Sequence, residues 1–129
     1  MPLVRIEIRK GRTASEKAAL LEAVHSAVKE ALKTPDYDRT QRLYELAPED
    51  FEIQPMKSER FTLVEITMFP GRSLETKRTL YRSIVGNLGR LGISPEDVFI
   101  VLHEPPMENW GIRGGVPASE VNLGFEVKV

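Results

Sequence analysis

The clearest pattern in the sequence is a strand that occurs twice. Apolar and polar residues alternate through residues 2–12 and again through residues 62–72, and each stretch ends in Gly-Arg. Alternation with a period of two is typical of a strand buried on one face, and the glycine predicts a turn. The two copies differ at their first residue, because Pro2 corresponds to Thr62. We therefore predict two related halves, of which only the first begins with a proline.

A helical pattern follows each of these strands. Thr13 and Glu16 form a capping box, and apolar residues then recur at helical spacing to about Lys33. In the second half the same spacing begins at Ser73 and runs to about Leu91. Both segments are predicted to be amphipathic helices with one buried stripe.

A further strand is predicted after each helix, at 39–46 and at 98–102, and the latter is apolar enough to be expected at a sheet centre. Each half is then a right-handed β-α-β unit. Two such units related by a pseudo-twofold axis predict an α+β fold. Its four-stranded mixed sheet has both helices on one face and the two first strands antiparallel at the centre. The opposite sheet face has no helix to cover it, which indicates burial against other subunits.

We assign the chain to one domain and expect an edge strand over Val121–Val129. The domain 1–129 consists of repeats 2–46 and 61–104, a linker over 47–60 and a C-terminal hairpin or tail over 105–129.

Composition narrows the possible functions. The chain has 18 Lys and Arg against 19 Asp and Glu, a net charge of −1, and no cysteine. That balance gives no sign of a nucleic-acid or membrane partner, and thiol chemistry and disulfides are excluded. The two histidines show no metal-ligand spacing. No signal segment or membrane-spanning run is present, so we expect a cytoplasmic protein without a metal or cofactor.

Pro2 is the first candidate for chemistry. Removal of Met1 would expose a secondary amine, and an unperturbed α-amino group has a pKa of about 7.7–8.0. An apolar pocket or nearby cations would lower that pKa and make the amine a general base near neutral pH. The alternative is that Pro2 is only a strand-edge residue, and with Met1 retained its nitrogen is an amide.

Two arginines occupy equivalent places in the halves. In an antiparallel central pair, Arg72 is placed near Pro2 and Arg12 near Thr62. Arg72 could bind a substrate carboxylate and lower the pKa of the amine. The alternative for Arg72 is a structural role, covering a helix N-terminus or pairing with Glu75. Asp38 and Arg39 open the second strand near the same place, where they either orient water or a carboxylate or form a surface ion pair.

These residues resemble the tautomerase superfamily, whose members use an amino-terminal proline on a β-α-β scaffold. Both halves resemble the short 4-oxalocrotonate tautomerase subunit. Gly71-Arg72-Ser73 and the segment from Trp110 to Ser119 carry the closest likeness. Residues 35–41 and the fused layout are similar to malonate semialdehyde decarboxylase.

The resemblance implies a role for each candidate residue. It implies Pro2 as catalytic base, or as charged acid in decarboxylase and dehalogenase members, and Asp38 as the residue that assists proline and water. Arg72 matches a carboxylate-binding arginine, Arg39 one that reaches in from a neighbouring subunit, and Trp110 a pocket wall. Members of this length are usually homotrimers, and the implied partner is a small carboxylate substrate.

One difference from the family pattern weakens the decarboxylase and dehalogenase hypotheses. Fused decarboxylase and dehalogenase members carry another arginine close to the match of Arg72, whereas this chain has Met-Phe-Pro over 68–70, and Arg113 is the candidate replacement. The leading hypothesis is therefore a tautomerase acting on a small 2-oxo acid. The alternatives are a decarboxylase or hydratase of a 3-oxo acid such as malonate semialdehyde, and a non-catalytic assembly or binding protein on the same fold.

Overall fold

The elements follow the predicted order, two β-α-β units in succession. A computed structural model describes residues 2–124. The main elements are β1 Leu3–Arg9, α1 Ala14–Leu32, β2 Thr40–Leu46, β3 Thr62–Thr67, α2 Leu74–Gly89 and β4 Val98–His103. A short hairpin of β5 Gly111–Ile112 and β6 Val116–Pro117 follows.

Both helices begin at the predicted caps. The Thr13 side chain accepts a hydrogen bond from the backbone N–H of Glu16, whose carboxylate accepts one from the N–H of Thr13 in return. Ser73 accepts from the backbone N–H of Thr76 in the second half. These bonds satisfy donors at the helix start that have no partner inside the helix. Helix α1 ends at Lys33, which has a left-handed φ of 59°.

The sheet has the order β2-β1-β3-β4, which confirms the predicted topology. Strands β1 and β3 pair antiparallel at the centre, with Leu3 opposite Thr67, and each is flanked by a parallel strand of its own half. The core lies between the sheet and the two helices. Its largest fully buried side chains come from both halves: Ile6, Ile8, Leu20, Leu32, Ile66, Met68, Leu80, Ile84 and Leu88.

The prediction of a central position for the second strand of the second half was wrong, because β4 lies at the sheet edge. Its side chains are apolar on both faces for two separate reasons. Ile100 and Leu102 pack against the core under the helices. Phe99 and Val101 lie on the opposite face, where they are 44% and 40% exposed. A continuous apolar run therefore indicates burial of two faces but not a position inside the sheet.

The sheet face opposite the helices is uncovered in one copy of the chain. Arg5 and Glu65 form an ion pair of 2.6 Å at its centre, and the Nε2 of His103 lies 3.1 Å from the same carboxylate. Exposed aromatic and aliphatic side chains, Tyr44 and Phe99 among them, flank these charges. Exposed apolar side chains on an uncovered sheet face are typical of a surface that packs against another subunit.

The linker and the tail are irregular. The linker begins beside β1, where Arg9 donates to the Phe51 carbonyl, and the ring of Phe61 packs edge to face on both Phe51 and Phe99 of β4. Residues 121–124 form bends without strand pairing. The rest of the predicted edge strand, 125–129, lies outside the described residues. Within the part of the chain that the structure describes, no helix has the length and apolar character needed to cross a membrane.

Candidate active site

Pro2 lies at the sheet end where β1 begins. Leu3 is paired with Thr40 of β2 on one side and with Thr67 of β3 on the other. Continuing each ladder by one residue places Pro2 between Arg39 and Met68. Pro2 is buried at this end of the sheet.

Arg72 lies at the same sheet end and is buried to 6% exposure. Its hydrogen bonds are long: Nη1 donates to the carbonyl of Phe69 at 3.3 Å and Nη2 to that of Leu32 at 3.4 Å. The Nε–H is buried and has no hydrogen-bond partner among the described residues. Burial lowers the pKa of Arg72. A buried cation with weak internal partners is a ready binding group for a carboxylate.

Two carboxylates act on this arginine. The negative charges of Glu104 and then Asp38 raise the pKa of Arg72, in opposition to the larger effect of burial. Glu104 follows β4 and accepts a 2.7 Å bond from Lys77 of α2. Asp38 precedes β2 and is partly buried. The guanidinium therefore lies between carboxylates from opposite sides of the sheet.

The loop that carries Asp38 is fixed to α1. Asp36 lies 3.2 Å from the Nε2 of His25 and accepts a 3.1 Å bond from Lys29. These two bonds, with that from Lys29 the larger influence, lower the pKa of Asp36. His25 is buried. Its place on the helix is typical of ordinary packing, but its contact with Asp36 helps to hold the loop before β2.

Trp110 forms an aromatic wall beside the start of β1. Its ring packs edge to face on Phe69 with centroids 4.8 Å apart, and its Nε1 donates to the carbonyl of Pro105. Leu3 packs against the same pair. Because Leu3 adjoins Pro2, and the Phe69 carbonyl accepts from Arg72, this cluster lies next to both groups. Strand register and these contacts therefore put Pro2, Arg72, Asp38 and Trp110 at the same end of the sheet.

Two predicted residues are not brought to this place within one copy of the chain. The Arg39 guanidinium is turned towards α1, where it donates to Glu22 at 3.0 Å. Arg113 has a left-handed φ of 48° and donates to the carbonyl of Asn122. Within residues 2–124, neither guanidinium forms a hydrogen bond or ion pair with Arg72.

Glu104 is the site residue that sequence reasoning missed. A signal for it exists in the repeat, because β3 and β4 are parallel and their carboxyl ends meet at one sheet edge. The residue after β4 therefore lies beside the residues that follow β3. In residues 2–124 no group of three or more His, Cys, Asp or Glu side chains is arranged to hold a metal ion.

The comparisons with known proteins agree with this geometry. Two family models, each described as "Tautomerase enzyme", match residues 38–113 and 2–59. Probable tautomerase YusQ of Bacillus subtilis (strain 168) is 31% identical over 121 residues, which cover 89% of this chain and 95% of that protein. The chain therefore belongs to the tautomerase family of enzymes.

Solved structures of the family share the fold. Malonate semialdehyde decarboxylase, solved in wild-type, mutant and inactivated forms, is 31% identical with a TM-score of 0.80, and the match covers 87% of this chain and 92% of that one. A fused 4-OT that forms a symmetric trimer is 28% identical with a TM-score of 0.79 and coverage of 91% and 96%. The predicted superfamily and its tandem fold are thus confirmed, and the protein is an enzyme of the tautomerase type.

Proposed function

We propose that the protein is a cofactor-independent tautomerase that interconverts the enol and keto forms of a small 2-oxo acid, with Pro2 as the general base. The observation that carries this proposal is Arg72, a buried guanidinium whose Nε–H is unpartnered among residues 2–124. It lies at the sheet end where β1 begins. A carboxylate bound there would hold the reacting atoms of a small acid near the nitrogen of Pro2.

The proton follows a simple path. The neutral Pro2 amine takes the proton of the enol hydroxyl, and the electron pair of that O–H bond forms the C=O π bond. The C=C π bond breaks at the same time, and its electron pair forms the new C–H bond with the proton that the ammonium returns. No atom is gained or lost. Once Met1 is removed, burial of Pro2 and the positive charge of Arg72 would disfavour the ammonium form and lower the pKa of the amine, whereas the negative charges of Asp38 and Glu104 would raise it. This requires that Met1 be removed, because an amide nitrogen cannot accept the proton.

We propose a homotrimer in which the substrate carboxylate is shared. The fused 4-OT with 28% identity is a trimer, and the uncovered sheet face offers the surface for packing. Arg39 lies at the edge of the sheet, and the side chain is 38% exposed. In an assembly, Arg39 of one copy would reach the Arg72 site of a neighbouring copy, with Trp110 as the pocket wall. Arg113 remains a candidate for binding substrate in such an assembly.

A second activity is supported by one specific observation. Asp38 lies close enough to act on Arg72, and malonate semialdehyde decarboxylase, a protein with decarboxylase and hydratase activities, is 31% identical. In that reaction class Asp38 would orient water or hold the charged form of Pro2. The remaining hypothesis, a non-catalytic assembly protein on this fold, predicts that Met1 is retained in cells.

The test is turnover of an enolpyruvate-type substrate by processed protein, with intact mass recorded first to establish the loss of Met1. Pro2→Ala should lower kcat/KM by about 10²–10⁴-fold, the usual contribution of a general base. Thr62→Ala is the matched control, because Thr62 holds the equivalent place in the second half, and its kcat/KM should stay within about twofold of the wild type. Equal rates in Pro2→Ala and wild type would exclude the proline mechanism.

A further inference from the structure

The sheet end opposite Pro2 contains a cavity of about 170 Å³. It lies where β3 begins, between the first turns of α1 and the segment that follows α2. Arg12 and Arg60 line one part of it, and Leu20, Leu91 and Ile93 line another. It is the equivalent, in the second half, of the place that Pro2 and Arg72 occupy in the first.

Arg12 is incompletely paired in this cavity wall. Its Nη2 donates to the backbone carbonyl of Arg60 at 3.0 Å. Its Nη1 is buried and has no hydrogen-bond partner among residues 2–124. Burial lowers the pKa of Arg12, and the positive charge of Arg60 lowers it further. The folded chain therefore keeps a cation where its own structure disfavours one.

Arg60 is incompletely paired in the same way as Arg12. Its Nη2 donates to the carbonyl of Leu91 at 3.1 Å, and its Nε is buried without a partner among the described residues. Each guanidinium thus donates one hydrogen bond to a backbone carbonyl and has another donor that is buried and unpartnered among the described residues. Two neighbouring cations with unused donors favour an anion that can accept from both.

The nearby carboxylates do not fill this role. Glu16 accepts from the backbone N–H of Thr13 in the capping box and is exposed. Glu45 accepts a 2.8 Å bond from Lys17. Both raise the pKa of Arg12 only against the larger effects of burial and Arg60. Among residues 2–124, no carboxylate therefore contacts the buried unpartnered donors of Arg12 and Arg60.

We propose that this cavity is a second ligand site, one that binds a small aliphatic monocarboxylate. The carboxylate would accept from Arg12 and Arg60, and the short aliphatic part would pack on Leu20, Leu91 and Ile93. The volume suits a chain of a few carbons. Glu16 at the cavity wall leaves a net charge of about one positive unit, which favours a monoanion over a dianion such as sulfate.

The test is an NMR titration of the full-length protein with sodium butyrate against a matched sodium chloride series. The titration is made in an Arg72→Gln background, so that the proposed active site cannot contribute carboxylate binding. The amide signals of Leu91 and Ile93 should shift and saturate. Arg60→Gln should weaken the apparent Kd by about tenfold or more, the loss typical of a hydrogen bond to a charged group.

Arg90→Gln is the matched control, because it removes a positive charge next to Leu91 without touching the cavity wall. It should leave the butyrate Kd unchanged. Arg12→Lys keeps the charge but loses the forked donors, so it should weaken butyrate binding severalfold. This variant tests the proposal even if Arg60→Gln fails to fold.

Three results would overturn the proposal. They are shifts that follow ionic strength without saturating, an unchanged Kd in folded Arg60→Gln or Arg12→Lys protein, and sulfate competing as well as butyrate. Shifts confined to the Pro2 end of the sheet would also contradict it. Because the two ends are mapped by different amide signals, failure here leaves the proposed tautomerase activity standing, and the converse also holds.

Discussion

The two ends of the sheet contain the same turn and an arginine at the same place, yet Pro2 lies at only one of them. At one end Pro2 precedes β1, near Arg72. At the other end the chain continues into β3 through Arg60, whose carbonyl accepts a bond from Arg12. Both ends therefore have a cation. Under the proposed function, only the end with Pro2 offers an amine, and only after Met1 is removed.

The charges around the two arginines sharpen the contrast. Arg72 is influenced by two carboxylates, Glu104 and Asp38. At the equivalent end Asp38 is replaced by Val98, and a second cation, Arg60, stands beside Arg12. A carboxylate beside an amine can assist proton transfer, whereas a pair of cations can only bind. The two halves thus surround equivalent arginines with different charges.

Of the predicted tests of this difference between the two sheet ends, substitution of Arg72 should have the largest effect. Arg72→Gln should raise KM for a 2-oxo acid by about tenfold or more, because a charge-assisted carboxylate contact is lost. Thermal stability should not fall, since a buried and weakly paired charge is removed. Steady-state kinetics and a thermal unfolding curve measure the two quantities. Arg78→Gln, an exposed arginine on α2, is the control, and a lower Tm with an unchanged KM would make Arg72 a structural residue.

The pH dependence of kcat/KM tests which form of the Pro2 amine reacts. A general base must be neutral, so kcat/KM should rise about tenfold per pH unit below the pKa of the amine and level off above it. We expect that pKa below the free value of about 7.7–8.0 because of burial and Arg72. A profile that instead falls as the amine loses its proton would favour the decarboxylase mechanism.

Asp38→Asn separates the two enzymatic hypotheses by a smaller effect. Tautomerase turnover should change by less than about threefold, because the proline needs no second carboxylate to take and return the proton. Hydration or decarboxylation of a 3-oxo acid, if present, should fall by about tenfold or more. Parallel assays on both substrate classes give the answer. If the 3-oxo acid activity persists in the variant, Asp38 has no part in it.

The smallest predicted effect concerns the linker that leads to Arg60. Asp97 accepts hydrogen bonds from the backbone N–H and the hydroxyl of Ser58, and these bonds lower its pKa. A lowered pKa stabilises the fold above the unfolded value of about 3.9 and loses that stabilisation as pH falls through the folded value. Asp97→Asn should lower the free energy of unfolding at pH 7 by about 1 kcal/mol and flatten its pH dependence below pH 4. Denaturant titrations at pH 7 and pH 3 measure both effects, and an unchanged pH dependence would contradict the assignment.

Much of the fold could be predicted from the sequence, because the repeat makes local patterns agree with one another. The strand alternation, the caps at Thr13 and Ser73 and the two helical stripes determine two β-α-β units, and their symmetry determines the antiparallel centre. The edge position of β4 could not be read from its apolar run. Burial by a neighbouring copy and burial inside a sheet leave the same composition.

The candidate site was predictable where it follows from the register and not where it depends on side-chain direction. Antiparallel pairing of β1 and β3 is enough to place Arg72, and not Arg12, at the Pro2 end. The outward turn of Arg39 to Glu22 and the bond of Arg113 to the Asn122 carbonyl depend on rotamers and loop shape, which periodicity does not encode. Predicting Glu104 as a site residue required knowing that the carboxyl ends of β3 and β4 lie at the same edge of the sheet.

The most direct measurement of the central claim is turnover by a form of the enzyme that carries one additional residue ahead of Pro2. Every side chain of the site is kept, and only the secondary amine is converted into an amide. With intact mass establishing the extension and a thermal unfolding curve establishing the fold, we predict that kcat/KM for an enolpyruvate-type substrate falls by about 10²-fold or more. A rate equal to that of the processed protein would contradict the claim that the Pro2 nitrogen is the base.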